Sequence, residues 1–273
     1  MIHHNVQMST TRSANRDQHT KKDPYTHIDV SKKDRHTNIN RQTHPNQHKG
    51  LSLPRAILCD MDGVLVDSEH LHWHSVLLTL QKVLNQSTLP QLPLRIGWND
   101  TQLWQELVHH YQLPVSVEAC IQHRKAIAHT LLHEQAVPLM QGVYETLSYI
   151  KARYPYIPLA VVSASLKDHM HISLKNIDQF FTLILSGFDD CSHNKPHPMP
   201  YLRASEILGV PIESCWILED STPGLQAALG SQAQVFAVHA QQSDLTLRQR
   251  CVAQLDQFKE LIDYLAIADK GRH

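Results

Sequence analysis

The chain has 273 residues, with 25 Lys and Arg against 26 Asp and Glu, and 21 histidines that crowd toward its start. That length accommodates one full domain and a smaller companion, and the near-zero net charge gives no general reason to expect nucleic acid or an anionic membrane as a partner. Scattered cysteines (Cys59, Cys120, Cys191, Cys215, Cys251) without a C-x-x-C pair argue against a disulfide framework, no apolar run approaches the ~18 residues of a membrane span, and the first residues lack the apolar segment of a signal peptide, so a cytoplasmic location is expected.

Residues 1–50 are polar, lean basic and show neither helical nor strand periodicity. Such a segment buries too little apolar surface to offset its chain entropy, so a disordered, histidine-rich tail is expected. The body begins at Leu51, where a short apolar run, Leu53 to Cys59, ends in Asp60-Met61-Asp62-Gly63. Similar runs follow at Pro158–Val162, Phe181–Leu185, Cys215–Leu218 and Val235–Val238. They are apolar on both faces, as a parallel sheet covered by helices requires. Helical patterns at 143–153, 169–177, 200–208 and 224–229 lie between them, predicting an α/β doubly wound, Rossmann-like parallel sheet.

One interval breaks this rhythm. Between Glu69 and Met140 no strand pattern occurs, while Leu103, Trp104, Leu107, Val108 and Tyr111 mark one helical face and Ile121, Ile127, Leu131 and Leu132 another. Seventy or so residues are too many for one crossover. The expectation is an inserted all-helical cap domain over residues 69–140, with a core domain made of 51–68 and 141–273.

The chemistry gathers at strand ends. Asp60 and Asp62, two residues apart at the carboxyl end of a strand, can face one pocket, and open α/β sheets bind ligands along that edge. Gly63 lets the chain turn sharply there and admits backbone close to a ligand. A calcium loop would carry its glycine two residues later and a Glu at its twelfth position. Ser163-Ala164-Ser165 follows the second run, where a lone serine is ordinarily a helix cap. Lys195 is set among prolines that limit where it points. Glu219 and Asp220 are adjacent carboxylates, which repel unless a cation lies beside them. Singly these are weak signals; together they form a constellation.

The segments DMDGVLVDSE, VVSAS, KPHPMPY and WILEDSTPG resemble, in this order, the four motifs of the haloacid dehalogenase superfamily, in the subgroup with a helical cap after the first strand. Within it the chain is most similar to the β-phosphoglucomutase-like and hexitol or 2-deoxyglucose phosphate phosphatases. The resemblance implies Asp60 as nucleophile, Asp62 as acid/base, and Ser163 and Lys195 as phosphoryl-binding groups. It also implies Mg²⁺ held by Asp60, the Asp62 carbonyl, Asp220 and Glu219. The expected partner is a small phosphorylated metabolite, with no nucleic acid and no membrane, and the chain is expected to act as a monomer.

The resemblance places substrate selection on the cap and the loop beneath it. His72 and Trp73 are expected near the pocket, with Arg95 binding a hydroxyl or carboxylate and Trp98 packing on a sugar face. Gly63, Ala164 and Ser165 complete the expected substrate-binding set, whereas Lys125 is expected to be solvated. A sugar phosphomutase is the alternative: the position of His72 matches a mutase histidine, but Arg95-Ile96-Gly97-Trp98-Asn99 does not reproduce the mutase cap loop. A dehalogenase would not need the Asp62, Glu219 and Asp220 set.

Overall fold

The computed structural model describes residues 51–88, Leu92 and 100–271. Arg95, Trp98 and the N-terminal fifty residues, with the expectations placed on them, lie outside these described residues. The first strand, β1 (Ala56–Cys59), is followed by three consecutive helices, α1 (Glu69–Val83), α2 (Asp100–Tyr111) and α3 (Val117–Glu134). Alternation then begins: α4 (Val143–Arg153), β2 (Leu159–Ser163), α5 (Lys167–Leu174), β3 (Leu183–Ser186), α6 (Met199–Leu208), β4 (Cys215–Glu219), α7 (Thr222–Gly230), β5 (Gln234–Val238), α8 (Leu245–Gln249), β6 (Ala253–Leu255) and α9 (Leu261–Lys270). Among the described residues no helix is long and apolar enough to cross a membrane.

The strands pair in parallel in the order β3-β2-β1-β4-β5-β6. Strand β1 is central because both neighbours bond to it, Ile57 opposite Leu159 on one side and opposite Trp216 on the other. The period of two along each strand then divides the core in half. Ile57, Cys59, Leu159, Val161, Trp216, Leu218, Phe236 and Val238 face a cluster filled by α4, α5 and α9. Ala56, Leu58, Ala160, Val162, Cys215, Ile217, Val235 and Ala237 face one filled by α6 and α7. Burial on both faces explains why these strands read as continuous apolar runs. The fold is the doubly wound sheet expected from the sequence.

The helices after β1 build a separate cluster from Val76, Leu80, Leu103, Trp104, Leu107, Leu113 and Cys120. Helix α3 belongs to both regions, since Ile121 packs on that cluster while Leu131 and Leu132 are buried with the sheet side. The chain leaves and returns side by side: the Asp67 amide donates to the Pro138 carbonyl at 2.8 Å, and the Met140 amide to the Leu65 carbonyl at 3.0 Å. Helix α5 starts two residues before its periodicity predicts, because Asp189 accepts a hydrogen bond from the Lys167 amide at 2.7 Å. A donor satisfied from another loop leaves no local trace in sequence.

Candidate active site

The order of strands reverses between β1 and β4, and the crevice beyond such a switch point is where open α/β sheets hold ligands. Three strand tips meet there. Strand β1 delivers Asp60, β4 delivers Glu219 and Asp220, and β2 delivers Ser163. The third motif brings Lys195 to the same point, although it precedes α6 and no strand carries it.

Lys195 holds the crevice together. Its Nζ donates to Asp60 Oδ1 at 2.7 Å, to Glu219 Oε1 at 2.7 Å and to the Val162 carbonyl at 2.8 Å. An ammonium has three donors, and all three are used. The side chain is 4% exposed, so this is no solvated surface charge. Burial works against its charge, but Asp60 and Glu219 outweigh that and raise its pKa above the ordinary lysine value. The phenol of buried Tyr201, on α6, donates to Glu219 Oε1 at 2.5 Å, and Nζ sits 4.8 Å from the Tyr201 ring centroid. The sequence does not distinguish Tyr201: a tyrosine six residues after the lysine, on the first turn of a helix, is explained equally by core packing.

The carboxylates outnumber the cation. Asp60, Glu219 and Asp220 each offer an oxygen within 4.8 Å of the others. Burial first, then the Asp60 and Glu219 charges, push the pKa of Asp220 well above its ordinary value; Asp60 is also raised, by burial with Glu219 and Asp62, against the opposing pull of Lys195. Asp220 Oδ1 is buried and accepts no hydrogen bond. Adjacent buried acids with an orphan oxygen are the arrangement a hard divalent cation relieves, so the donor set fits Mg²⁺. Glu219 is more constrained than Asp60 and Asp220, because its Oε1 is already committed to Lys195 and Tyr201 while Oε2 receives only the Asp220 amide at 3.2 Å and the Ser221 hydroxyl at 3.4 Å. Two glycines make the room. A Cβ on Gly63, whose φ is +79°, would lie 2.1 Å from Asp220 Oδ2, and one on Gly224 would lie 1.9 Å from Glu219 Oε2.

Asp62 stands apart from this cluster in its partners. Ser68 donates to Oδ1 at 2.5 Å, Ser165 donates to Oδ2 at 2.9 Å, and His72 Nε2 lies 3.5 Å from Oδ1. Burial alone would raise the Asp62 pKa; the hydrogen bonds and the His72 charge win and hold it at about 2. His72 responds in the opposite sense: burial disfavours its charge, yet Asp62 raises its pKa overall. Ser163 is buried and accepts from the Ser165 amide at 3.1 Å, which leaves its own hydroxyl hydrogen available to a ligand. It caps no helix, since α5 is preceded by Leu166 at its cap position. The Ala164 carbonyl accepts from the Asn194 side chain at 3.1 Å, and Asn194 in turn accepts from the Lys195 amide at 2.8 Å, tying the lysine loop to the β2 tip.

From the helical side come His72 on α1 and Arg124 on α3. Arg124 donates to Asp100 at 2.6 Å, is 11% exposed, keeps a buried Nε without a partner, and is close enough for its charge to oppose that of His72. Lys125 is not simply solvated: its Nζ lies 5.1 Å from the centroid of the Phe188 ring. Trp104 is fully buried among the helices.

Comparison with known proteins identifies the family. Residues 57–238 match the family model described as haloacid dehalogenase-like hydrolase. Hexitol phosphatase B of Escherichia coli strain K12 is 30% identical over 210 residues, spanning 70% of this chain and 87% of that protein. Pyrophosphatase PpaX of Bacillus cereus strain AH820 is 26% identical over 166 residues, 60% of this chain and 74% of the relative. Among solved structures, CbbY of Rhodobacter sphaeroides in complex with phosphate superposes with a TM-score of 0.59 at 22% identity, covering 78% of this chain and 99% of that one, which speaks to the fold. A family model that matches residues 57–238, more than half of the chain, shows that this protein belongs to the haloacid dehalogenase-like hydrolase family.

Proposed function

We propose that the chain is a Mg²⁺-dependent phosphatase that passes the phosphoryl group of a small phosphorylated metabolite, a sugar or sugar-alcohol phosphate, first to Asp60 and then to water. The observation that carries this reading is the buried Lys195 ammonium, 2.7 Å from both Asp60 and Glu219, beside three carboxylates within 4.8 Å of one another. The likeness to a hexitol phosphatase supports the substrate class.

Asp60, Asp220, the Asp62 main-chain carbonyl and, through Oε2, Glu219 are the oxygens that would hold the ion. When bound, Mg²⁺ supplies positive charge that offsets the repulsion between a carboxylate and a phosphate dianion. Lys195 adds fixed charge that needs no reorganisation during the reaction, and Ser163 donates to a phosphoryl oxygen. In the first half-reaction an Asp60 oxygen bonds to phosphorus, the bond from phosphorus to the substrate oxygen breaks, and Asp62 gives that oxygen a proton. In the second, Asp62 takes a proton from water, the water oxygen bonds to phosphorus, and the bond to Asp60 breaks. The ionised Asp62, held by Ser68, Ser165 and His72, is the form suited to this second half. His72, with its raised pKa, is the neighbouring store of a proton for the first.

His72 beside Asp62 is also what a sugar phosphomutase would show, so that reading is tested alongside. Incubation with β-glucose 1-phosphate and, separately, with hexose 6-phosphates and hexitol phosphates, with and without Mg²⁺, decides between them. Free phosphate that requires Mg²⁺ supports the phosphatase. Isomerised sugar phosphate without phosphate release overturns it.

A further inference from the structure

On the last turns of α3, His129 and His133 bring their Nε2 atoms to 3.3 Å of each other. The four-residue spacing puts both rings on one helical face, and both residues are exposed. Their ring centroids are 4.5 Å apart, and the ring of His169, on α5, lies 5.5 Å from that of His129. Histidines in water have no need to converge, because solvent satisfies each ring nitrogen separately. The separation matters. Two imidazole nitrogens bound to one tetrahedral Zn²⁺ at about 2.05 Å stand about 3.3–3.4 Å apart, which is the spacing observed.

We propose that His129 and His133 chelate one divalent transition-metal ion of the imidazole-preferring class, Zn²⁺, Ni²⁺ or Cu²⁺, at a site separate from the Mg²⁺ donors. Paired histidines one helical turn apart are a recurrent way for a helix to hold such an ion, and imidazole selects it over Mg²⁺, which takes oxygen donors. Each ring binds as the neutral tautomer, its hydrogen on Nδ1 and its Nε2 lone pair given to the metal; the ring whose Nε2–H bridges to the other in the metal-free pair releases that proton to solvent and takes one up at Nδ1. The His169 ring flanks the pair from α5, 5.5 Å from that of His129. Solvent completes the coordination. Helix α3 packs on both α1 and α5, and through Leu131 and Leu132 it reaches the sheet-side core, so the chelate sits on a helix that joins the two regions.

The test is residue-resolved, because the many histidines of the N-terminal segment also bind such ions. The full chain, held in excess Mg²⁺, is treated with diethyl pyrocarbonate with and without Zn²⁺, and modification of each histidine is followed by peptide mass spectrometry. At about ten times Kd, Zn²⁺ should slow modification of both His129 and His133 about tenfold, in proportion to the site left empty. In His133→Ala, Zn²⁺ should no longer slow His129. Equal rates at the pair with and without Zn²⁺ overturn the proposal, as does slowing of only one of the two, or continued protection of His129 in His133→Ala.

Discussion

The strand-tip crevice and the helical region over β1 differ in how tightly their polar groups are tied. In the crevice every donor of Lys195 is used, Glu219 accepts from four residues, and the positions are set by parallel strands whose register leaves little freedom. On the helical side Arg124 has one ion pair and an Nε without a partner among the described residues. The difference is one between machinery and selection. Groups that must meet phosphorus to within about 0.5 Å belong on rigid elements, while groups that recognise the remainder of a substrate keep spare hydrogen-bonding capacity. Substitutions in the crevice should therefore lower kcat, and substitutions on α3 should raise KM.

The largest effect expected among these positions is at Asp62. Asp62→Asn removes proton transfer in both half-reactions and should lower kcat by roughly 10² to 10⁴; near-normal turnover in steady-state assays would remove Asp62 from that role. Tyr201→Phe comes next. It keeps the ring under Lys195 but deletes the hydrogen bond to Glu219, a bond to a charged group worth about 1.5–3 kcal/mol, so kcat should fall by about ten- to a hundredfold with KM little changed. A KM effect without a kcat effect would show that Tyr201 only fills space.

Arg124→Met should do the reverse, raising KM about tenfold while kcat stays within a few-fold, by loss of one charge-assisted bond to substrate. Asp100→Asn, which breaks the same ion pair but keeps the guanidinium, serves as the control and should leave KM near normal. If both variants behave alike, Arg124 is structural. The smallest effect is on stability. The folded-state pKa values of Asp60 and Asp220 are raised, and for such groups stability is full below the unfolded pKa and is lost as pH rises through the folded value. The metal-free protein should thus lose stability from about pH 4 toward neutrality. Saturating Mg²⁺ should then raise Tm by a few degrees at about pH 8, from about 2.7 kcal/mol at a hundredfold excess over Kd, and by less at about pH 5. Calorimetry with and without chelator measures this.

The same contrast governs what the sequence discloses. Asp60, Ser163, Glu219 and Asp220 are legible because each closes or directly follows a short buried strand, so its place at the sheet edge is a local consequence of chain direction. Lys195 is legible by motif, but its threefold anchorage is not, because Asp60 lies 135 positions away. Tyr201, Ser68 and Arg124 are read only in three dimensions: a phenol on a helix, a serine at a helix start and an arginine on a helix carry no periodic signature of the carboxylates they meet. Strand β6 and helix α9 escape for another reason. The strand is three residues long with one exposed position, too short to alternate visibly.

The covalent role of Asp60 is tested most directly by trapping. Turnover of a hexitol phosphate with Mg²⁺ in the presence of hydroxylamine should convert an acyl-phosphate at Asp60 to a hydroxamate, found by peptide mass spectrometry and missing from Asp60→Asn and from chelator-treated protein. Phosphate release at an undiminished rate by Asp60→Asn, or a hydroxamate formed on a different carboxylate, would contradict the account.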